Sequence, residues 1–500
     1  MMATIPIDSR VDPKISEFFS RKHRMLVDGK FVTAASGKTF PVYNPATGEV
    51  VAQVPEAEAA DVDLAVQAAR RAFDGGAWPH MTPSERGRLL WKLADLVEAN
   101  LEEIAEIESL DNGKPLSVAR AADLPLTVDM FRYMAGWATK ISGRTLSLSM
   151  PREFHSYTLR EPVGVVAQII PWNFPLLMAA WKLAPALAAG CTIILKVAEQ
   201  TPMSALRLAE LIQEAGFPPG VVNVLTGYGE GAGAPLAAHP LVDKIAFTGS
   251  TEVGKLVVHA ATGNLKKVSL ELGGKSPAII FPDADLEVAI AGAASAIFFN
   301  QGQCCCAGSR LYAHQDVFDR VLEGVSDIAS KIQVGSGLDP ATQMGPLVSE
   351  EQFSRVTGYI RAGVEEGATV ATGGKPHGER GYFVQPTVLT GTKPEMKVVR
   401  EEIFGPVVCA ESFSDADLDR LALEANDTIY GLAASVWTRD LSMAHKMAKR
   451  IRSGTVWVNC HNVFDASLPF GGYKQSGWGR EMGEEVLNNY TETKAVTIAL

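Results

Sequence analysis

The chain has 500 residues, of which 47% are hydrophobic, and its formal net charge is −11. This length predicts two or three domains around a large core, and the negative charge argues against a nucleic-acid-binding surface, which needs clustered Lys and Arg. The most apolar segments, 163–170 and 176–189, are too short or too interrupted for the roughly 20 apolar residues of a membrane span. Because the N-terminus has no basic stretch followed by an apolar run and the cysteines suggest no disulfide framework, we expect a cytoplasmic protein without a membrane partner.

Two helices are predicted near the N-terminus. In DVDLAVQAARRAF the apolar residues recur at helical spacing, Asp61 is expected to be the N-cap, and Gly75 ends the helix. The next helix is predicted to run from residue 83 to about residue 108. Thr82 and Glu85 have the spacing of a capping box, and Pro83 stands at the first helical position.

The middle of the chain alternates between strands and helices. The predicted helices lie at 176–190, 204–216 and 250–261, between strands predicted at 163–170, 191–196, 221–227, 244–250 and 266–274. This alternation is typical of an α/β protein with a doubly wound parallel sheet.

A second α/β domain is predicted from SPAIIF (276–281) onward. It continues with a helix over 286–299, a strand over 309–314 and a helix over 317–332. Two strand-like segments, 145–161 and 494–500, fit neither sheet. We expect them to pair either with each other or with another subunit.

Three adjacent cysteines occur in the stretch QGQCCCAGSR (301–310). Neighbouring residues are poorly placed for a disulfide, because their side chains diverge. The other three cysteines stand alone, so the chain has no zinc-ligand spacing and no metal site is predicted. Two interpretations remain from the residues alone: small buried side chains, or a nucleophile.

The first sheet lacks the standard dinucleotide fingerprint, because PWNFP follows its first strand. A glycine-rich stretch at 227–234 is interpreted as a flexible connection. The better candidate is FTGSTEVG, where Gly249 and Ser250 offer backbone N–H groups and a helix dipole to a pyrophosphate, or simply cap the helix. Lys196 and Glu199 follow a strand, and a carboxylate there favours the ribose hydroxyls of NAD.

Seven separated motifs resemble one family: PWNFP (171–175), KVAEQTP (196–202), FTGSTEVG (247–254), LELGGK (270–275), FNQGQCCCAGSR (299–310), EEIFGPV (401–407) and LPFGGYKQSG (468–477). Together, in this order and over essentially the whole chain, they resemble an NAD(P)-dependent aldehyde dehydrogenase. The resemblance implies a Rossmann-type NAD-binding domain (1–142 and 162–272), a second α/β catalytic domain (273–486) and a small β oligomerisation arm (143–161 and 487–500). It also implies a homotetramer or a homodimer.

The resemblance assigns the catalytic roles. Cys305 would attack the aldehyde carbon, and the Asn173 amide with the Cys305 N–H would hold the oxyanion. Hydride would pass to NAD, and Glu271 would activate the water that hydrolyses the thioester to the acid. Lys182 and Glu481 match positions that relay protons from this base. If the segment is extended, Cys304 and Cys306 project away from Cys305 and line the pocket wall.

The resemblance also assigns the binding residues. The cofactor residues are Ile169, Trp172, Lys196, Glu199, Gly249, Ser250, Glu402 and Phe404. The substrate pocket consists of Leu126, Phe174, Leu177, Trp181, Phe299, Cys304, Cys306, Asn462, Phe464 and Phe470. These aromatic and aliphatic walls favour an uncharged aldehyde. An arylacetaldehyde such as phenylacetaldehyde, or another aryl aldehyde, is the first expectation, a medium-chain aliphatic aldehyde the second, and a betaine-type aldehyde the third. The rival hypotheses are a thiol esterase and an inactive scaffold.

Overall fold

The computed structural model describes residues 10–414 and 418–500. The N-terminal elements are α1 Pro13–Ser20, β1 Met25–Val27, β2 Lys30–Val32, β3 Thr39–Asn44, β4 Glu49–Pro55, α2 Ala59–Asp74, α3 Pro83–Ala99, α4 Leu101–Asn112, α5 Leu116–Val118 and α6 Leu124–Trp137. A π-helical turn over Ala119–Asp123 joins α5 to α6.

The start of α3 is confirmed and the start of α2 is corrected. The Thr82 hydroxyl accepts from the Glu85 N–H (3.3 Å), and the Glu85 carboxylate accepts from the Thr82 N–H (2.7 Å), as in a capping box. The prediction that Asp61 is the N-cap of α2 is wrong. Glu58 is the N-cap, and Asp61, at the third helical position, accepts from the Glu58 N–H (3.0 Å). The predicted long second helix is interrupted at Asn100, which separates α3 from α4.

The first large sheet contains all five strands that the alternation predicts. The elements that follow α6 are β5 Thr145–Leu146, β6 Phe154–Pro162, β7 Val165–Ile169, α7 Pro175–Ala189, β8 Thr192–Lys196, α8 Met203–Ala215, β9 Val222–Leu225, α9 Ala234–Ala238, β10 Lys244–Thr248, α10 Thr251–Ala261 and β11 Lys267–Glu271. Strands β11, β10, β7, β8 and β9 pair in parallel in that order, and β1 and β2 extend the β9 edge. The order reverses between β7 and β10, which is where doubly wound sheets bind ligands. The stretch predicted as a flexible connection at 227–234 instead forms a π-helical turn over Gly229–Gly233 that leads into α9.

The second series of elements forms a separate sheet, as predicted. The elements from residue 277 onward are β12 Pro277–Ile280, α11 Leu286–Phe298, β13 Arg310–His314, α12 Phe318–Lys331, α13 Glu350–Glu365, β14 Thr369–Thr372, β15 Thr387–Thr390, α14 Lys397–Arg400, β16 Val407–Phe413, α15 Leu418–Asn426, β17 Ala433–Trp437, α16 Leu441–Arg450, β18 Thr455–Val458, β19 Gly477–Trp478, α17 Leu487–Tyr490 and β20 Thr491–Ala499. The strand order is β14, β15, β16, β13, β12, β17 and β18. β19 leaves this unit and pairs antiparallel with β11 of the first sheet.

The two strand-like segments outside both sheets pair with each other. β20 runs antiparallel to β6 from Thr491 opposite Pro162 to Ala499 opposite Phe154, and β5 adds a short third strand. No helix within residues 10–414 and 418–500 has the length and hydrophobicity needed to cross a membrane.

Helix α7 links the core to the cavity described below. Every residue from Pro175 to Ala189 is buried, and the helix packs against α3 and α6. Gly190 ends it with a left-handed φ of 100°, which glycine adopts without strain. Its first turn follows directly from PWNFP, so a rigid buried helix fixes the position of this motif.

Candidate active site

One large cavity, of about 450 Å³, lies where the two α/β units meet. Its wall includes most of the residues that the sequence predicts for the site, and they come from both units. These are Leu126, Trp172, Asn173, Phe174, Leu177, Trp181, Gly249, Ser250, Glu271, Phe299, Cys304, Cys305, Cys306, Glu402, Phe404, Asn462, Phe464, Phe470 and Glu481. Ile169, Lys182, Lys196 and Glu199 lie outside this wall.

The cysteine segment is a turn and not an extended strand. The Ala307 N–H donates to the Cys304 carbonyl (3.0 Å), and the Cys304 and Cys306 Sγ atoms lie 3.3 Å apart. Cys304 and Cys306 are buried, whereas Cys305 is partly exposed. The condition of an extended segment is therefore not met, but Cys304 and Cys306 line the cavity wall together with Cys305.

The neighbouring thiols control the ionisation of Cys305. Its hydrogen bond with Cys304, together with burial, raises the pKa of the Cys305 thiol well above its usual range. A thiol in this state is a weak nucleophile, because the thiolate is the reactive form.

Asn173 is held from two sides at the entry to α7. Its Nδ2 donates to the Gln303 carbonyl (3.0 Å), which links PWNFP to the cysteine segment. Its own carbonyl accepts from Asn300 Nδ2 (3.1 Å) and from Lys114 Nζ (3.2 Å). The side chain is buried but reaches the cavity wall beside Cys305, as an oxyanion donor requires.

Glu271 reaches the same cavity from the end of β11. The backbone of Gly274 packs so closely on the cysteine segment that a Cβ there would lie 2.2 Å from the Cys305 carbonyl oxygen. This close approach brings the LELGGK and GQCCC motifs together. Burial, and then the nearby Glu481 carboxylate, raise the pKa of Glu271 well above its usual range.

Lys182 and Glu481 form a buried ion pair behind Glu271. Glu481 lines the cavity, and its backbone exchanges two hydrogen bonds of 2.7 Å with Phe470. Lys182 lies in α7 and is fully buried. The pair therefore connects the cavity wall to the core helix.

The predicted cofactor residues lie along the end of the first sheet. Ser250 Oγ accepts from the Val253 N–H (3.2 Å), which confirms that Ser250 caps α10. Ser250 also lines the cavity, and its pyrophosphate role stays a prediction. Lys196 Nζ lies 3.2 Å from Glu199 Oε2 at the end of β8. Ile169 stands beside Lys196 in the register of β7 and β8.

Glu402 and Phe404 come from the second α/β unit, whereas Trp172 follows β7 of the first sheet. The Glu402 carboxylate accepts from the Gly274 N–H (2.8 Å), and burial raises the pKa of Glu402 to about 7. The Trp172 and Phe404 rings meet edge to face with centroids 5.2 Å apart.

The sequence profile of the aldehyde dehydrogenase family matches residues 31–496. The chain belongs to this family. It is 52% identical over 478 residues to aldehyde dehydrogenase family 2 member B4 of Arabidopsis thaliana, covering 95% of this chain and 88% of that one. It is 49% identical over 499 residues to a mitochondrial benzaldehyde dehydrogenase of Antirrhinum majus, and the match covers 100% of this chain and 92% of that one. The solved NAD+ complex of an aldehyde dehydrogenase from Bacillus cereus superposes with a TM-score of 0.96 at 50% identity, covering 100% of both chains.

Membership of the aldehyde dehydrogenase family makes the chain an oxidoreductase that acts on aldehydes.

Aromatic rings dominate the part of the cavity beyond Cys305. Phe174 and Phe299 stack with centroids 6.2 Å apart. The Trp181 ring packs against Phe464 and Phe470, with ring centroids 6.1 Å and 5.5 Å apart. These contacts form a rigid apolar wall.

Several residues of this aldehyde dehydrogenase cavity were missed by the sequence reasoning. They are Ala122, Asp123, Pro171, Met178, Thr248, Leu272, Ser295, Glu351, Gln352, Arg355 and His461. Pro171, Thr248 and Leu272 stand inside the quoted motifs, so the motifs could have found them. Gln352 and Arg355 lie on α13, whose sequence carries no comparable signal. Burial lowers the pKa of His461 to about 4, so this wall residue is neutral at pH 7.

Proposed function

We propose that this enzyme oxidises an apolar aldehyde to the carboxylic acid with NAD as the hydride acceptor. The observation that carries the proposal is the convergence of Cys305, Asn173 and Glu271 on one cavity wall, although they come from three separate segments of the chain.

In the proposed mechanism, the Cys305 thiolate attacks the aldehyde carbon to form a thiohemiacetal. The Asn173 amide and the Cys305 N–H donate to the oxyanion. Loss of hydride leaves a thioester on Cys305. Glu271 then removes a proton from water, which attacks the thioester and releases the acid, while Lys182 and Glu481 move the proton away from Glu271.

The residues present fit NAD. The N–H groups at the start of α10, beside Gly249 and Ser250, suit its pyrophosphate. Glu199 and Lys196 suit the adenine-side ribose, and Glu402 the nicotinamide-side ribose, while Ile169, Trp172 and Phe404 flank the cleft. When bound, NAD accepts the hydride and its positive charge favours the thiolate. The NAD+ complex of the Bacillus cereus enzyme supports this assignment.

For the substrate we propose an aryl or arylacetaldehyde. The ring contacts of Phe174, Phe299, Trp181, Phe464 and Phe470 favour a flat apolar group. The benzaldehyde dehydrogenase of Antirrhinum majus supports an aromatic substrate. A medium-chain aliphatic aldehyde is the second candidate, because the same wall has no directional requirement for a ring.

The first test measures NADH or NADPH formation with phenylacetaldehyde, benzaldehyde, hexanal and betaine aldehyde, each offered with NAD and with NADP. We expect the highest kcat/KM for an aromatic aldehyde with NAD. A higher value for hexanal or betaine aldehyde contradicts the proposed substrate, and a preference for NADP contradicts the role of Glu199. Absence of all turnover would favour the scaffold hypothesis.

Cys305→Ala tests the nucleophile, with Cys304→Ala as the matched control. We expect Cys305→Ala to abolish aldehyde oxidation and ester cleavage while NAD binding, measured by fluorescence quenching, persists. Cys304→Ala should retain turnover. The assignment fails if Cys305→Ala oxidises aldehydes at an appreciable rate.

We further propose the three-part division into an NAD-binding domain (1–142 and 162–272), a catalytic domain (273–486) and an oligomerisation arm (143–161 and 487–500). The arm would assemble a homotetramer or homodimer. The six free cysteines suit a reducing compartment such as the cytoplasm.

A further inference from the structure

A buried lysine lies directly behind the turn that carries Asn173. Lys114 follows α4 and is fully buried, with two carboxylates, Glu108 and Asp123, as its ion-pair partners. Its Nζ donates to the Asn173 carbonyl (3.2 Å) and lies 4.7 Å from the centre of the Phe174 ring.

The same cluster holds the start of α7. Glu108 accepts from Lys114 Nζ with Oε1 (3.1 Å) and from the Leu176 N–H with Oε2 (3.2 Å), so it satisfies a free backbone donor of the first helical turn. Asn112 Nδ2 donates to the Trp172 carbonyl (2.7 Å). The end of α4 therefore makes hydrogen bonds to positions 172, 173 and 176.

The local backbone places Lys114 in this position. Gly113 ends α4 with a φ of 89°, and a Cβ there would lie 2.7 Å from Pro45 and 2.8 Å from Pro346. This left-handed turn directs the chain inward, so that Lys114 lies among its partners. Burial lowers the pKa of Lys114, but Asp123 and Glu108 outweigh it and the net pKa lies above its ordinary value. The side chain stays charged at neutral pH.

We propose that Lys114, anchored by Glu108 and Asp123, is a positioning residue that sets the Asn173 amide for oxyanion binding. This inference rests on the proposed role of Asn173. The Asn173 carbonyl accepts from Lys114 Nζ (3.2 Å) and, at a longer 3.5 Å, from Asn112 Nδ2 on the α4 side, and from Asn300 Nδ2 (3.1 Å) on the cysteine side. Removing Lys114 leaves only the long Asn112 hydrogen bond on the α4 side. The peptide is then held mainly by Asn300 on the cysteine side, and the amide can tilt away from the reacting carbon.

The test is a double-mutant cycle between Lys114→Met and Asn173→Ala, with single-turnover NADH formation as the readout. Lys114→Met should slow the single-turnover step about 10- to 100-fold, since a donor misplaced by roughly 1 Å can cost that much. In the Asn173→Ala background the same change should cost less than about 2-fold, because the group it positions is already gone. NAD affinity should change little in every variant.

Lys92→Met is the matched control. Lys92 is an exposed lysine whose Nζ donates to a backbone carbonyl, that of Glu214 (3.1 Å), away from the cavity. We expect this variant to keep the wild-type single-turnover rate. If Lys114→Met does not fold, the double change Lys114→Met with Asp123→Asn removes one of the two carboxylates that Lys114 had neutralised, and this variant enters the same cycle.

The outcomes distinguish a failure of the positioning role of Lys114 from a failure of the proposed role of Asn173. An equal loss from Lys114→Met with and without Asn173 assigns Lys114 a purely structural role and overturns the inference. A wild-type rate for folded Lys114→Met also overturns it. If Asn173→Ala itself keeps the wild-type rate, the proposed role of Asn173 fails, and the positioning role of Lys114 fails with it.

Discussion

At the scale of single residues, burial and neighbouring groups control the acid–base chemistry of the cavity. Glu271 has its pKa raised, first by burial and then by Glu481. A carboxyl with a raised pKa is protonated below that pKa and can act as a base only above it. Thioester hydrolysis should therefore accelerate as the pH rises through the pKa of Glu271, above the ordinary carboxyl range.

Glu271→Gln tests this pH dependence. We expect the variant to hydrolyse the thioester about 10²- to 10⁴-fold more slowly and to lose the rising limb of the kcat profile, because Gln cannot accept the proton. Stopped-flow measurement of deacylation between mildly acidic and alkaline pH checks this. Glu484→Gln, on the exposed segment nearby, should keep the limb. Persistence of the same limb in Glu271→Gln would exclude Glu271 as its source.

At the scale of elements, the close contact between the end of β11 and the cysteine turn depends on glycine. Gly274→Ala would place a Cβ 2.2 Å from the Cys305 carbonyl oxygen. The turn must then move, and a shift of roughly 1 Å lowers kcat/KM by about 10²-fold.

A matched substitution, Gly358→Ala, separates the loss of kcat/KM in Gly274→Ala from the general effect of replacing a glycine by alanine. Gly358 lies inside α13, and a Cβ there meets no atom within 4 Å. Gly358→Ala should therefore stabilise the protein by about 0.5–1 kcal/mol and leave kcat/KM unchanged. Urea unfolding and steady-state kinetics on both variants check the pair. Wild-type activity in Gly274→Ala would show that the contact does not position Cys305.

At the scale of the whole molecule, the three-stranded sheet of β20, β6 and β5 exposes two large apolar side chains on one mixed face, which also carries the Lys494–Glu161 ion pair. Leu159 on β6 is 40% exposed and Ile498 on β20 is 45% exposed. β20 is an edge strand with unpaired backbone groups. An exposed edge strand with large apolar side chains beside it favours association with another chain.

The double variant Leu159→Asp with Ile498→Asp tests the proposed oligomerisation arm. We expect a lower molar mass in light scattering coupled to gel filtration, because two carboxylates oppose burial of this face. Leu423→Asp is the control, since Leu423 is 70% exposed on α15, outside the proposed arm. An unchanged mass for the double variant would locate the assembly surface elsewhere.

Local sequence patterns predicted those helices and strands well whose formation depends on residues close together in the chain. The five parallel strands of the first sheet and the capping box at Thr82 follow from hydrophobic runs and side-chain spacing. The N-cap of α2 was placed wrongly because Glu58, which holds that position, is not among the preferred capping residues. The break at Asn100 was missed because the apolar periodicity continues across it.

The sequence by itself determined the α/β class, the strand segments and, through seven motifs, the family and the candidate residues. These depend on local spacing and on ordered short patterns, which can be read without coordinates. The tertiary structure decided which candidates meet. Glu271 and Cys305 come together through the contact at Gly274, and Lys114 reaches Asn173 across 59 positions of chain. Such contacts arise from long-range packing, and no periodicity in a single sequence encodes which distant side chains will share one cavity.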